Sequence, residues 1–345
     1  MLVSFALIYA QAKNQDGLMS IWSVIGLGSY LPCALLSRQP YVLAAYERDF
    51  LSHLDAYEAA LPRDVPITLF IQLGWQCQTE AAATRLSQKF RAARQRLPQL
   101  SRVLFLANCP EEEAALTRQG EEVVFCHQNA FLDERRYPIL SFVRKRYDAI
   151  YIARIAPFKR HALATAVRSL RLIGTFADYD RDYVDTTLRS LPQAKLTDRY
   201  PAPLIAYPIN QARCGLCLSA EEGAMFVSAE YLLCGLPAVN TANVGGRDLV
   251  MPDFATVKVP DDPAAVAAAV DAFAAHAPPA ADIRAATLEL MRPHRETMLT
   301  LLHEAGVSDE LCARYARRFP HKLGLRCGYS PWRNRALGLP RPKGV

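Results

Sequence analysis

A chain of 345 residues with 51% apolar, 21% charged and 9% aromatic side chains has the make-up of an ordinary folded protein, which excludes the disordered, collagen-like and membrane-bundle classes. No uninterrupted apolar stretch reaches the ~18 residues of a membrane span, and the length exceeds what one core usually serves, so two domains are expected. The net charge of +6 sits at one end: residues 311–345 hold nine Lys and Arg and no acid, leaving 31 basic against 34 acidic residues in positions 1–310, so nucleic acid is not an expected partner.

Nine cysteines at irregular spacing suit free thiols better than a secreted disulfide framework. Residues 1–9 are apolar, but no Lys or Arg precedes them, so a first β-strand is favoured over a signal peptide. A cytoplasmic protein is expected. Residues 66–73 read as a buried strand, 79–96 as a helix, 102–107 as a strand, 111–119 as a helix and 121–126 as a strand. Strands separated by helices of this length make parallel βαβ units.

The polar, irregular stretch 127–147, with Pro138 and Arg144-Lys145-Arg146, breaks the pattern. A second α/β series follows, with strands near 148–152, 170–174, 214–219, 237–241 and 256–259 and helices around 262–275 and 283–304. The expected fold class is α/β, with two Rossmann-like domains facing a cleft and a ligand at the carboxyl ends of the strands. The expected units are 1–140, 141–305 and a basic C-terminal segment, 306–345.

Residues 214–247 carry the strongest chemical signal. A strand ending at Ser219 leads into an expected helix over 221–234, stopped by Gly235 before Leu236-Pro237. On such a helix Glu222 and Glu230 stand about 12 Å apart along the axis, a spacing that fits a ligand with hydroxyls at both ends and a negative centre. Gly223 at the helix N-terminus permits close approach of that centre. A purely structural alternative is a capping box between Ser219 and Glu222, with Glu230 solvated beside Met225, Ala229 and Leu232. Arg154 and Lys159 fall in a strand-to-helix loop, where a guanidinium and an ammonium suit a pyrophosphate.

In the order Arg154-x4-Lys159, Glu222-x7-Glu230, Gly235-Leu-Pro-Ala-Val239 and Gly245-Gly246, these residues resemble the C-terminal domain of retaining glycosyltransferases of the GT-B fold, the large family-4 type. Asn129-Ala-Phe-Leu-Asp133-Glu-Arg-Arg-Tyr137-Pro138 is similar to that family's interdomain loop, Asn-Gly-Val-Asp-x3-Phe-x-Pro, with Ala130 for Gly and Tyr137 for Phe. The resemblance spans residues 129–250. The first 125 residues show no family motif beyond a faint Gly26-Leu-Gly28, and His53 and His127 are the candidates for the family's N-domain histidine.

The resemblance implies GT-B architecture, with 1–140 on the acceptor side and 141–305 binding a nucleotide-diphosphate sugar. Glu230 would take the ribose hydroxyls, and Glu222 with the N–H groups of Gly223, Ala224 and Met225 would hold the sugar. Arg154 and Lys159 would neutralise the leaving phosphate. Neither metal nor cofactor is implied. The acceptor would be a glycan or a lipid-linked sugar in surface-polysaccharide or glycoconjugate synthesis.

Other signals are weaker. Asp178-Tyr-Asp180-Arg-Asp182 contains an Asp-x-Asp, which binds a divalent metal in GT-A transferases, but acids before a helix expected from Tyr183 also suit its dipole. Cys214 and Cys217, three apart in a strand, point to opposite faces and cannot easily share a zinc ion or a disulfide. Lys89, Arg91, Arg94 and Arg96 form a solvated helix face or meet anionic lipid. The segment 311–345 interleaves Tyr315, Phe319, Tyr329 and Trp332 with its cations; it either docks on an anionic membrane on the inner face or packs back across the first domain. A sugar-nucleotide epimerase of the same fold and a non-catalytic binding protein are the remaining alternatives.

Overall fold

The computed structural model describes residues 31–177, 180–198 and 200–325. The first half contains β1 (Cys33–Arg38), β2 (Tyr41–Tyr46), α1 (Glu47–Ser52), α2 (Leu54–Ala60), β3 (Ile67–Gln72), α3 (Glu80–Arg96), β4 (Leu100–Ala107), α4 (Pro110–Thr117) and β5 (Glu122–Phe125). The second contains β6 (Tyr147–Ile152), β7 (Leu170–Ile173), α5 (Arg181–Ser190), β8 (Ala194–Thr197), α6 (Ala206–Asn210), β9 (Ala212–Cys217), α7 (Phe226–Leu233), β10 (Ala238–Asn240), β11 (Thr256–Lys258), α8 (Pro263–Ala275), α9 (Ala280–Glu304) and α10 (Asp309–Arg317).

Two sheets result. In the first, β2 to β5 run parallel in chain order and β1 pairs antiparallel with β2 at the edge. The second is parallel throughout in the order β11-β10-β9-β6-β7-β8, the doubly wound arrangement. The central strands are short Val/Ile/Leu-rich runs, because helices cover both faces of a parallel sheet and leave no polar side.

Local signals set the helix starts. Thr79 caps α3 through Oγ1, which accepts from Ala82 N at 3.2 Å, and Asp262 caps α8 by accepting from Ala265 N at 2.9 Å. The β1–β2 hairpin, α1, α2 and β8 were not anticipated from sequence. The expected strand at 1–9, Gly26 and Gly28 lie outside the described residues.

The C-terminal elements return to the first domain. Arg295 on α9 donates to the carbonyls of Ala130 and Leu132 at 2.6 and 3.1 Å. Beyond α10, Arg318 pairs with Asp133 at 2.5 Å, and Tyr315 Oη donates to Leu36 O of β1 at 2.6 Å. Phe319 meets Phe131 edge-on at 5.2 Å. Tyr315 and Phe319 are therefore core residues, as the packing alternative expects, and two buried rings cannot also insert into lipid. Arg326, Tyr329, Trp332 and the residues after them lie outside the described residues. Arg91, Arg94 and Arg96 on α3 bind Gln119 O, Glu121 and the Asp55–Glu58 pair, so those cations serve the domain's own surface. No helix among the described residues is long and apolar enough to cross a membrane.

Candidate active site

In the second sheet β6 and β9 are neighbours, and the chain order runs away from them in opposite directions. A crevice opens at such a switch point, outside the carboxyl ends of the two strands. The loop after β6 carries Arg154 and Lys159, and the loop after β9 carries Glu222. Lys159 Nζ and the Glu222 carboxylate form an ion pair, with the residues 9% and 7% exposed. Arg154, five residues before Lys159 on the same loop, donates to Asp180 Oδ2 at 2.5 Å. Removing either partner of a covered pair leaves a buried charge, a loss of 3–5 kcal/mol as a rough general value. A diphosphate can replace Glu222 as the partner of Lys159.

The expected helix over 221–234 is shorter in the structure. Met225 takes a left-handed conformation (φ 46°) and α7 begins at Phe226. Glu222 is thereby off the helix: its N–H donates to Val244 O at 2.9 Å and its side chain goes to Lys159, so the capping box with Ser219 is not formed. The pairing of 221 with 244 competes with helix formation and wins. The axial spacing derived for Glu222 and Glu230 therefore does not apply.

Gly223, Ala224 and Met225 form the connecting loop. For their backbone N–H groups no acceptor is found among the described residues. Successive unpaired N–H groups next to a left-handed residue make an anion-binding concavity. The loop's carbonyls are occupied: Asn129 Nδ2 donates to Ala224 O at 2.7 Å and to Met225 O at 3.3 Å.

Glu230 is placed elsewhere. It lies on α7 facing the interdomain segment, where Tyr137 Oη donates to its Oε1 at 3.0 Å and Lys322 Nζ stands 3.9 Å away. Burial raises its pKa, and Lys322 and the Tyr137 hydrogen bond oppose the rise. The structure thus does not bring Glu230 to the Lys159–Glu222 pair: its carboxylate is covered and holds Tyr137 and Lys322. The helix ends at Gly235 (φ 71°), with Leu236 N donating to Tyr231 O at 2.9 Å, as the glycine stop predicts.

Arg247 was missed by sequence reading. It is fully buried and donates to the carbonyls of Cys217, Ser219 and Thr241 at 2.9, 3.0 and 2.6 Å and to Asp248 Oδ1 at 2.6 Å. One guanidinium thus ties the ends of β9 and β10 together beneath Glu222. Its position directly after Gly245-Gly246 was the available signal. Gly245 (φ 120°) is required because a Cβ there would lie 1.5 Å from Glu222 O.

The first domain meets this crevice with the carboxyl ends of its own strands. A Cβ on Gly223 would stand 3.2 Å from Gly74 O and 3.5 Å from Trp75 Cα, in the loop after β3. Trp75 contacts Phe158 edge-on at 5.4 Å, and Phe158 in turn lies 5.0 Å from Lys159 Nζ. His127 donates through Nε2 to Gly246 O at 2.8 Å while Nδ1 accepts from Asn129 N. It is therefore neutral, and burial lowers its pKa to about 3. His53 binds Asp49 O within its own turn. Burial raises Glu47 and Glu112 to about 7 each; Glu47 accepts from Gly74 N at 2.8 Å, and Glu112 from Cys77 N and Asn108 N.

Of the Asp-x-Asp candidates, Asp180 is engaged by Arg154, Asp182 lies in the first turn of α5, and Asp178 is outside the described residues. Among the described residues no group of three His, Cys, Asp or Glu is arranged to hold a metal ion. Cys214 and Cys217 are buried free thiols.

No protein-family model matches the chain, and no curated protein matches it in sequence. Its structure is similar to that of Anabaena Alr3699/HepE in complex with UDP and glucose, at 15% identity over 76% of this chain and 78% of that chain, with a TM-score of 0.58. It is similar to the UDP-glucose complex of the same protein, at 16% identity over 74% and 78%, TM-score 0.53. Sucrose-phosphate synthase from Thermosynechococcus elongatus matches at 13% identity over 90% of this chain and 77% of that chain, TM-score 0.54. Together with two α/β domains whose strand ends face each other, these similarities establish the fold as the GT-B architecture.

Proposed function

We propose that the chain is a retaining glycosyltransferase that moves a sugar from a nucleotide-diphosphate sugar to a glycan or lipid-linked acceptor. The observation that carries this reading is the Lys159–Glu222 pair beside the N–H groups of Gly223, Ala224 and Met225 at the switch point of the second sheet, with Arg154 on the same loop as Lys159. HepE, of the same fold, binds UDP and UDP-glucose, which makes UDP-glucose the first donor to try.

In this mechanism the diphosphate takes Lys159 from Glu222, and the freed carboxylate accepts hydrogen bonds from sugar hydroxyls. The bond from the anomeric carbon to the phosphate oxygen breaks, and Arg154, Lys159 and the loop N–H groups stabilise the charge left on phosphate. The acceptor oxygen bonds to the anomeric carbon from the same face, and its proton passes to the departing phosphate oxygen. These cations already bring the charge that a metal would supply, so the chemistry proposed here needs no metal. Tyr137, Lys322 and Glu230 fix the interdomain segment against α7 and so hold the two halves of the cleft in register.

Product analysis tests the proposal. Purified chain is incubated with a panel of α-linked nucleotide sugars and glycoside acceptors, and nucleoside diphosphate release and the anomeric proton are followed by NMR. An α-linked product is expected; a β-linked product would overturn retention, and no diphosphate release from any donor would overturn the transferase.

A further inference from the structure

We infer that the loop after β3 is a carbohydrate subsite, in which Trp75 is the platform for one face of an acceptor pyranose and Glu47 receives its hydroxyls. This rests on the donor site proposed above and names the acceptor class for it. Three observations support it.

Trp75 is 42% exposed although it stands at the junction of two domains, beside Gly223 and edge-on to Phe158. A tryptophan kept only to pack two domains together would bury its large apolar surface. This one keeps much of its surface open at the mouth of the crevice. A pyranose has a patch of C–H groups on one face and hydroxyls around its rim, so an exposed indole beside a carboxylate matches both.

The carboxylate is present. Glu47 opens α1 directly after β2, and its Oε2 accepts from Gly74 N at 2.8 Å. A Cβ on Gly74 would lie 3.4 Å from both carboxylate oxygens, so both flank the backbone that carries Trp75. Glu112 is different: it is fully buried, with its oxygens taken by Cys77 N and Asn108 N. Glu112 shapes the loop; Glu47 is half-buried and also accepts from its own and Arg48's backbone N–H groups, so its remaining lone pairs are those available to a hydroxyl.

The loop is also held rigid, as a binding platform must be. Asn108 Nδ2 donates to Leu73 O at 2.9 Å at its start, and Cys77 N is anchored on Glu112 at 3.0 Å at its end. Gly74 and Trp75 between these anchors lie against the Glu222–Gly223 loop, so a sugar resting on Trp75 is next to a donor held by Lys159 and Glu222.

Saturation-transfer NMR on the full chain with UDP present tests this, using methyl glycosides of glucose, galactose, mannose and N-acetylglucosamine as probes. At least one glycoside should receive magnetisation, strongest on the C–H groups of one ring face. Trp75→Ala should weaken that binding about tenfold or more, Trp75→Phe should retain part of it, and Glu47→Gln should weaken it while leaving the thermal shift by UDP-glucose in place. No transfer to any glycoside, or equal transfer in Trp75→Ala, overturns the subsite; equal binding in Glu47→Gln removes Glu47 from it. A chain that ignores every nucleotide sugar and nucleoside diphosphate but binds a glycoside through Trp75 would refute the donor reading and leave the subsite standing.

Discussion

Replacing Arg247 by Met keeps an unbranched apolar stem of similar length and removes only the guanidinium. The side chain is inaccessible to solvent, so no water takes its place without rearrangement. Cys217 O still accepts from Thr241 N at 3.3 Å, whereas Ser219 O and Thr241 O lose the guanidinium bonds at 3.0 and 2.6 Å. Two orphaned carbonyls cost about 1–3 kcal/mol each. Asp248 also loses its closest cation, so the expected total is about 3–5 kcal/mol. That is a large share of the roughly 5–15 kcal/mol that holds a domain folded. Urea unfolding of wild type and Arg247→Met, with free energies extrapolated to water, measures it directly. Because the same guanidinium ties down the loop of Glu222, UDP-glucose affinity should fall as well. A variant within about 1 kcal/mol of wild type with unchanged affinity would refute the claim that Arg247 organises the switch-point loops.

Further outcomes follow from the same geometry. Lys159→Ala and Glu222→Ala should each lower the transfer rate on the order of 10²-fold or more, measured as initial rates at saturating donor. Glu230→Gln should lower thermal stability through Tyr137 and Lys322 and spare donor affinity; a tenfold weaker UDP-glucose Kd with an unchanged Tm would instead support the ribose role for Glu230. His127 carries a folded pKa of about 3 against 6.5 unfolded, so the unfolded chain binds the extra proton between those values and stability is lost as pH falls. Glu47 and Glu112, raised to about 7 from 4.5, act oppositely between pH 4.5 and 7. They cancel in the difference between wild type and His127→Asn, which should change by about 1.4 kcal/mol per pH unit between pH 6.5 and 3, read from urea unfolding at each pH. Truncation after residue 310 should destabilise the chain by several kcal/mol, since it removes buried Tyr315 and Phe319. Vesicle co-sedimentation should therefore use truncation after 325, and loss of binding to anionic vesicles there would locate membrane contact in the last twenty residues.

Most of the parallel strands were legible as short apolar runs between helices of ordinary length, as in 66–73 before α3, whereas β8, Ala-Lys-Leu-Thr, carries too little apolar signal. The hairpin β1–β2 was not legible, although its six-residue strands are as long as β3, because Gln39-Pro40 joins them in place of an Asn-Gly or Asp-Gly hairpin signal. Arg154, Lys159 and Glu222 were singled out by their spacing, Arg-x4-Lys and Glu-x7-Glu, and the structure pairs Lys159 with Glu222 because the loops after β6 and β9 meet at the switch point. The helix start was misread for a local reason. Ser219 and Glu222 satisfy the capping pattern, and the competing hydrogen bond from Glu222 N goes to Val244 O, 22 residues away. Arg247 resembles a surface arginine in sequence; its burial depends on three carbonyls from two strand ends. The fate of Glu230 likewise depends on Tyr137 and Lys322, 93 residues before it and far behind it in the chain.

The central claim is that the crevice between the loops after β6 and β9 binds the diphosphate of a nucleotide sugar. Isothermal titration of the full chain with UDP-glucose, and with other nucleotide sugars if UDP-glucose is silent, tests it most directly. One-site binding is expected, competed by the matching nucleoside diphosphate, weakened at least tenfold by Lys159→Ala and unaffected by Trp75→Phe. Failure of every nucleotide sugar and every nucleoside diphosphate to bind the folded wild-type chain, or equal binding by Lys159→Ala, would contradict the account.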